Sequence, residues 1–311
     1  MSFAQEVKTD ICKNELKPCC QKAQLSALIQ ICSSLNISNQ QLTLDIKTQN
    51  PTIAKRILFL IKQLYVTDTQ LSMFKQLKFK KKHSYEIKVL SNVKEILEDL
   101  TLMSDEGLAH HPKAGLVRKD CCGRAYLAGA FLAVGSINSP LSSNYHCEIA
   151  VSEKRLADFI VKLMSRYEIV PKIIMRRNRH VIYIKQSEKI GDFLRLSGAY
   201  ESLMKFEDSR IQRDYINNLS RLDNCDIANE IKVQQSAGRQ YEDILLIQER
   251  IGLDRLDKRL EEVALLRLEH QDVSLLELSH LYGKKYQQTI SKSGIRHRIN
   301  KLHEIADRLK K

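Results

Sequence analysis

The chain has 311 residues, and 43% of them are hydrophobic, which allows a real core and excludes a disordered tail. Fifty Lys and Arg against 37 Asp and Glu give a net charge of +13. This charge favours a polyanionic partner, either nucleic acid or an anionic membrane surface, although a merely basic soluble protein would carry it too. No apolar run approaches the ~18 residues that a membrane span needs, and the N-terminus lacks a signal-peptide hydrophobic region. We therefore expect a globular cytoplasmic protein with no membrane partner.

An internal repeat occupies the first two thirds of the chain, and such a repeat predicts that the same structural unit occurs twice. Identical and similar residues align in three segments that follow the same order in both copies. The pairs are 19–36 with 121–138, 44–66 with 147–169, and 85–97 with 181–194. Chance does not explain three matches in order, so each copy is expected to form helix, strand, helix, strand or hairpin, and helix.

The first helix of each copy is apolar on nearly all sides, which predicts that it is buried. The apolar positions are Leu25, Ala27, Leu28 and Ile31 in copy one, and Leu127, Ala130, Phe131 and Val134 in copy two. The small residues Ala128, Gly129, Ala133 and Gly135 would let the second helix approach another helix closely. The sequence predicts a pseudo-twofold α/β domain over 1–206, with repeat one at 10–103, a loop at 104–120 and repeat two at 120–206.

A linker that contains a helix is predicted at 207–238, and a helical domain follows at 239–311. Apolar residues on a helical period predict helices over 239–251 and 256–269. Ser274 with Glu277 forms a capping box, and Gly283 suits the C-cap of the same helix. A turn and a last helix from Lys292 complete a helix-turn-helix at 273–309. The fold class is therefore α+β, a duplicated α/β domain followed by an all-α domain.

The last helix has one apolar face and one polar face. Ile295, Ile299, Leu302, Ala306 and Leu309 form the apolar face. Arg can read guanine, Asn can read adenine, and Lys and Ser can hold phosphates in the major groove of double-stranded DNA. The candidate DNA-binding residues are Ser274, Lys292, Ser293, Arg296, His297, Arg298, Asn300 and Lys301. A solvated helix in a bundle is the alternative, and Arg298 in particular can equally pack along the bundle.

Both repeats also carry a basic hairpin, which would form a second DNA surface. Its residues are Lys78, Lys80, Lys81 and Lys82 in repeat one, and Arg176, Arg177 and Arg179 in repeat two. Solvated strand edges explain the same residues equally well, since edge strands are often charged.

No metal site and no cofactor are expected. None of the eight cysteines forms a C-x-x-C pair, and an exported disulfide scaffold conflicts with the missing signal peptide. We expect reduced, mostly buried thiols, and we attribute the vicinal pairs Cys19–Cys20 and Cys121–Cys122 to a duplicated structural position. A P-loop, a GxGxxG motif and a nucleophile elbow are all absent, so no small-molecule substrate is expected.

Residues 127–135 read LAGAFLAVG and resemble the LAGLIDADG motif of homing endonucleases, in which two such helices pack at a pseudo-dyad beneath DNA. In that family the eighth place of the motif holds a metal-binding acid, and the sixth place is also acidic. Here these places hold Val134 and Leu132, with Cys32 and Gln30 in copy one. Hydrolysis assisted by a hard cation needs carboxylates, so the resemblance implies the scaffold without catalysis.

The whole chain resembles the WhiA family, bacterial regulators that join a degenerate LAGLIDADG domain to a C-terminal helix-turn-helix. Residues 209–229 and 290–309 are closest to the family's pattern, whereas the turn at 283–289 is long and leaves the start of the recognition helix open. The resemblance implies a nucleoid-associated transcriptional regulator linked to cell division, chromosome segregation or, in spore formers, sporulation. In such a regulator the first domain would either add affinity for DNA or recruit another regulatory protein.

The residues alone predict only DNA binding, and two alternatives stay open. One is a metal-dependent DNA endonuclease that uses acids outside the motif. The other is a protein-interaction platform with a weak DNA-binding tail.

Overall fold

The computed structural model describes residues 2–38, 41–75, 83–105 and 107–310. The chain divides into two compact units, one up to Arg213 and the other from Asp214 onward, and each has its own hydrophobic core. Within the described ranges, no helix combines the length and apolar character that a membrane crossing requires.

The first unit contains one series of elements twice, after an initial helix α1 (Phe3–Lys13). The first copy comprises α2 (Pro18–Cys32), β1 (Ser33–Ser38), β2 (Gln41–Thr48), α3 (Pro51–Leu64), β3 (Thr69–Lys75), β4 (His83–Val89) and α4 (Val93–Asp99). Two short strands, β5 (Met103–Ser104) and β6 (Gly107–Leu108), and a 3-10 turn (Ala114–Val117) follow. The second copy comprises α5 (Asp120–Val134), β7 (Gly135–Ile137), β8 (Cys147–Val151), α6 (Lys154–Ser165), β9 (Lys172–Arg176), β10 (Arg179–Ile184) and α7 (Ser187–Ser197).

Each copy forms one four-stranded antiparallel sheet, and the strand order is the same in both. The orders are β1-β2-β4-β3 and β7-β8-β10-β9. Side chains alternate between the two faces of a strand, so β8 buries Cys147, Ile149 and Val151 and leaves Glu148 and Ala150 partly exposed. The common order confirms the predicted duplication and the α+β fold class.

Helices α2 and α5 lie against each other at the centre of the unit. Six of the eight predicted apolar positions are buried, including Leu25 and Leu28 on α2 and Phe131 on α5, whereas Ile31 and Val134 near the C-terminal ends of the helices are only partly buried. A Cβ atom on Gly129 would lie 2.5 Å from the carbonyl oxygen of Gln24 and 3.0 Å from the Cβ of Ala27. Glycine is therefore what allows this close approach.

Gly135 serves a different purpose from the one expected. A Cβ there would clash with Phe131, one turn earlier in the same chain segment, and not with another helix. Gly135 is the C-cap residue of α5 and the first residue of β7. Its small size therefore permits the change from helix to strand.

The second unit is helical. It consists of α8 (Tyr200–Arg250) from residue 214 onward, a 3-10 turn (Leu253–Arg255), α9 (Lys258–Glu269), α10 (Leu275–Tyr286) and α11 (Lys292–Lys310). Residues 207–238 lie within α8. The expected C-cap at Gly283 is wrong, because α10 continues to Tyr286 and ends at Gln287, whose φ is 53°. Tyr282 and Tyr286 pack against each other across this additional turn, with ring centroids 4.9 Å apart and ring planes tilted by 43°.

We predict that Gly129→Ala lowers the free energy of unfolding of the first unit by about 1–3 kcal/mol, the usual range for an overpacked core. Urea denaturation of the full-length chain, followed by circular dichroism, measures the change. Gly115→Ala is the control in the same unit, because a Cβ at Gly115 meets nothing within 4 Å. Equal effects of the two substitutions would contradict the helix-contact explanation.

Candidate nucleic-acid interface

The start of α10 is fixed by the predicted capping box. The Ser274 hydroxyl accepts a hydrogen bond from the Glu277 amide at 3.2 Å, and the Glu277 carboxylate accepts one from the Ser274 amide at 2.8 Å. The bond from the Ser274 backbone is the main reason why the pKa of Glu277 lies below its usual value. Ser274 therefore begins the first helix of the helix-turn-helix, and its hydroxyl oxygen is engaged locally.

Helix α11 begins at Lys292, as predicted, and has two distinct faces. Ile295, Ile299, Leu302 and Ala306 are buried in the core of the second unit. The six polar candidates Lys292, Ser293, Arg296, His297, Asn300 and Lys301 are all exposed. Residues four positions apart are neighbours on a helix surface, so Ser293, His297 and Lys301 form one line and Arg296 and Asn300 form the next.

The cations of this exposed face are available for a ligand. Among the described residues, no ion pair involves Lys292, Arg296 or Lys301. Residues 273–311 contain nine Lys or Arg and three Asp or Glu, so the segment has a surplus of positive charge. An anionic partner that meets this face therefore displaces water and counterions and not an internal carboxylate.

Arg298 lies apart from the other candidates. Its guanidinium is partly buried and lies 5.1 Å from the ring centroid of Tyr282 on α10. This cation–π arrangement is the packing alternative that the sequence left open. The structure therefore brings six of the eight candidates onto one exposed face, with Ser274 at a helix start and Arg298 against α10.

Sequence reasoning missed Arg267, which holds the connection between α9 and α10. This side chain is only 1% exposed, and its Nη1 donates hydrogen bonds to the carbonyl oxygens of His270 at 3.2 Å and Val273 at 2.7 Å. Arg267 follows Val263 and Ala264 at helical spacing, and both of those residues are buried. An arginine on an apolar stripe was the available signal, because a buried charge needs hydrogen-bond partners.

A buried carboxylate joins α8 to the C-terminal half of α11. Asp243 is 6% exposed, and its two oxygens meet His303 Nδ1 at 2.5 Å and Lys310 Nζ at 2.8 Å. The hydrogen bond from Asp243, followed by the charges of Asp243 and Asp307, raises the pKa of His303 above its usual value. His303 follows Asn300 by three residues and lies on the same side of α11, nearer the C-terminus. Among the described residues the cluster forms no hydrogen bond with the six exposed candidates, so it orients the helix without engaging their side chains.

The second basic surface is described only in repeat two. Arg176, Arg177 and Arg179 are exposed at the end of the β9–β10 hairpin. Arg177 and Asn178 have φ angles of 50° and 60°, which is typical of a two-residue type I′ turn. Lys78, Lys80, Lys81 and Lys82 lie outside the described residues.

The motif positions hold no carboxylate and are engaged in packing. Leu132 is fully buried, and Val134 packs against the core. Gln30 donates a hydrogen bond to the His110 carbonyl oxygen and accepts one from the Tyr126 hydroxyl, both at 2.9 Å. Burial raises the pKa of the Cys32 thiol to about 11 despite the opposing charge of Lys8, so this thiol stays protonated at neutral pH.

Three family models match the chain. The WhiA N-terminal LAGLIDADG-like domain matches residues 18–103, the WhiA LAGLIDADG-like domain matches 123–215, and the WhiA C-terminal HTH domain matches 219–306. A protein of Bacillus licheniformis named "Probable cell division protein WhiA" is 44% identical over 311 residues, covering 100% of this chain and 98% of the relative. The chain belongs to the WhiA family. A WhiA relative of the same name from Macrococcus caseolyticus is 41% identical, covering 100% of this chain and 97% of the relative.

Solved WhiA structures agree with this assignment. The full-length DUF199/WhiA of Thermatoga maritima aligns with a TM-score of 0.60 at 25% identity and covers 99% of each chain. The N-terminal LAGLIDADG domain of DUF199/WhiA aligns with a TM-score of 0.50 at 21% identity, covering 63% of this chain and 90% of that one. At 21% identity, the alignment with the N-terminal domain shows only that the two share a fold.

The Asp243–His303 contact should make the stability of the second unit of this WhiA-family chain depend on pH. Because the folded-state pKa of His303 is raised, its stabilising contribution is complete below the unfolded pKa and disappears as the pH rises through the folded pKa. We expect His303→Gln to lower the melting temperature of the second unit more at about pH 6 than at about pH 9. Differential scanning calorimetry of the full-length chain measures the difference.

NMR titration of the His303 imidazole gives a direct second measurement, and Asp243→Asn should lower that pKa. His297→Gln is the matched control, since it removes an exposed histidine from the same helix. If His303→Gln lowered the melting temperature equally at both pH values, the imidazole would stabilise the unit through packing alone and not through its charge.

Proposed function

We propose that this chain is a non-enzymatic, sequence-specific DNA-binding protein that regulates transcription. The observation that carries the proposal is the exposed N-terminal half of α11, where Lys292, Ser293, Arg296, His297 and Asn300 face solvent while the opposite side is buried. A recognition helix of a helix-turn-helix reads base edges with its N-terminal residues. The chemistry of these side chains suits that task.

Each exposed side chain has a distinct capability in the major groove. Arg296 can donate two hydrogen bonds to guanine, and Asn300 can pair with adenine. Lys292, Lys301 and Ser293 can bind phosphates, which fixes the register of the protein without reading sequence. Arg298 contributes through its contact with Tyr282, which supports the position of α11.

The hairpin arginines of repeat two are proposed as an additional phosphate contact. Arg176 and Arg179 are directly opposite each other across the β9–β10 pair. Like charges in that position destabilise a sheet, so local strand pairing does not account for them. Contact with a polyanion would offset this repulsion. Lys78, Lys80, Lys81 and Lys82 of repeat one belong to the same proposal.

Absence of catalysis is proposed from the chemistry of the motif positions. Leu132 and Val134 offer no ligand atom, Gln30 is held by Tyr126 and His110, and Cys32 is a protonated thiol. Magnesium and calcium are held by oxygen ligands, usually carboxylates. We infer that the LAGLIDADG-like repeats serve as a binding scaffold for DNA or for another regulatory protein.

The biological setting is proposed from the relatives. Those of Bacillus licheniformis and Macrococcus caseolyticus are named as probable cell division proteins. We propose that this chain acts in the cytoplasm, associated with the nucleoid, in cell division and chromosome segregation, and in sporulation where its source forms spores.

Removal of the two N-terminal cations of α11 tests DNA binding. We expect Lys292→Gln with Arg296→Gln to weaken binding to duplex DNA and to reduce the slope of log K against log salt by about 0.9 for each phosphate that the variant no longer neutralises. Fluorescence anisotropy, with duplexes selected from a random pool by the unaltered chain, measures both quantities. Arg308→Gln is the charge-matched control for each of the two single substitutions, since it removes one positive charge about 18 Å beyond Arg296 on the same helix.

An unchanged slope in the double variant would contradict the proposed interface. Supercoiled plasmid with Mg²⁺ tests the second part of the proposal. Cleavage that chelation abolishes, and that persists through repurification, would contradict the non-enzymatic function.

A further inference from the structure

Four cysteines from the two repeats meet at the N-terminal ends of α2 and α5. The Sγ atoms of Cys19, Cys20, Cys121 and Cys122 all lie within 4.8 Å of one another. The sequence pattern attributes each pair to a duplicated structural position with no third partner. The structure corrects this view, because each vicinal pair is the partner of the other.

The spacing of the sulfur atoms fits tetrahedral coordination. A Zn–S bond of about 2.3 Å places the sulfurs of a tetrahedral site about 3.8 Å apart. The vicinal pairs are separated by 3.9 Å for Cys19–Cys20 and 4.0 Å for Cys121–Cys122. Only small adjustments of the side chains would therefore bring four thiolates around one ion.

The N-terminal ends of the two helices favour thiolates. Both pairs occupy the first turn of a helix, where the free amides carry partial positive charge, and Lys17 and Lys119 are the respective N-cap residues. Burial raises the pKa of Cys20 and that of Cys122, so the charge of the bound ion is what holds these two as thiolates.

The cysteine cluster is also accessible from solvent. Cys20 and Cys122 are buried, Cys19 is half-buried and Cys121 is exposed. An ion can therefore enter from the side of Cys121 and then be enclosed by four protein ligands. Such a site has no open coordination position for a substrate, which is typical of structural zinc.

We propose that Cys19, Cys20, Cys121 and Cys122 form a structural Zn²⁺ site that joins the two repeats. Soft thiolate ligands in a tetrahedral arrangement select Zn²⁺ over hard cations such as Mg²⁺. The ion ties the first turns of α2 and α5 together, and its binding displaces protons from the thiols into solvent. The proposal is independent of DNA binding, because the site lies in the first unit and α11 lies in the second.

Metal analysis of the full-length chain tests the proposal. The protein is reduced, equilibrated with ZnCl₂ without oxygen, passed through a desalting column and measured by plasma mass spectrometry. We expect about one zinc per chain, as four thiolates bind one ion, and near none in Cys19→Ser with Cys121→Ser. Cys225→Ser is the control and should keep its zinc, because Cys225 is exposed on α8 and lies outside the cluster.

Cobalt provides a measurement that does not depend on a variant. Titration of the reduced, metal-free chain with Co²⁺ should produce the intense visible bands of a tetrahedral tetrathiolate, saturating at one equivalent and bleached by Zn²⁺. Weak bands typical of octahedral Co²⁺ would overturn the proposal, as would equal zinc in the unaltered chain and the double serine variant. A disulfide within the cluster in chain isolated directly from cells, detected as the loss of two hydrogens per bond in its intact mass, would also overturn it.

Discussion

The arrangement of the two repeats in the first unit depends on the close packing of α2 against α5. Gly129 allows this contact, because any side chain there would collide with the Gln24 carbonyl oxygen. The two helices run from vicinal cysteines at their N-terminal ends to Cys32 and Val134 at their C-terminal ends. The same helix pair therefore brings the four sulfurs together at one end and places Cys32 and Val134 at the other.

The absence of carboxylates at Leu132 and Gln30 has a structural consequence. A carboxylate that is buried without a metal ion is strongly destabilising, because its charge loses water. Leu132 fills its position with apolar volume, and Gln30 satisfies its amide with Tyr126 and a backbone carbonyl. The scaffold thus keeps its packing without the cation that the acids would have required. If the cysteine cluster binds zinc, the unit has a metal at the opposite ends of the same helices, where it stabilises and does not catalyse.

Local patterns in the sequence predict the duplication, the Ser274–Glu277 capping box and the start of α11 at Lys292. Each of these depends on residues that are close in the chain or on repeated order. The error at Gly283 is also local. Glycine propensity places a C-cap there, whereas α10 continues for another turn in which Tyr282 packs against Tyr286.

Contacts between distant residues explain the remaining omissions. The cysteine cluster joins pairs from different repeats, and the C-x-x-C criterion examines only one pair at a time. Arg267 satisfies two carbonyls in a loop whose path the sequence does not reveal. The sequence leaves Arg298 undecided because its position on α11 is equally compatible with DNA and with Tyr282, and only the packing of α10 distinguishes them.

In the second unit, the hydrogen bonds that hold α11 against α8 engage none of the six exposed candidates among the described residues. Asp243 binds His303 and Lys310 in the C-terminal half of the helix, and apolar residues fix the buried side. Lys292 and Arg296 have no part in either set within the described residues. Among the described residues their side chains take part in no ion pair, and their positive charges, four residues apart on one helix, repel each other. An anionic ligand would relieve that repulsion, so the arrangement favours binding at this face over folding alone.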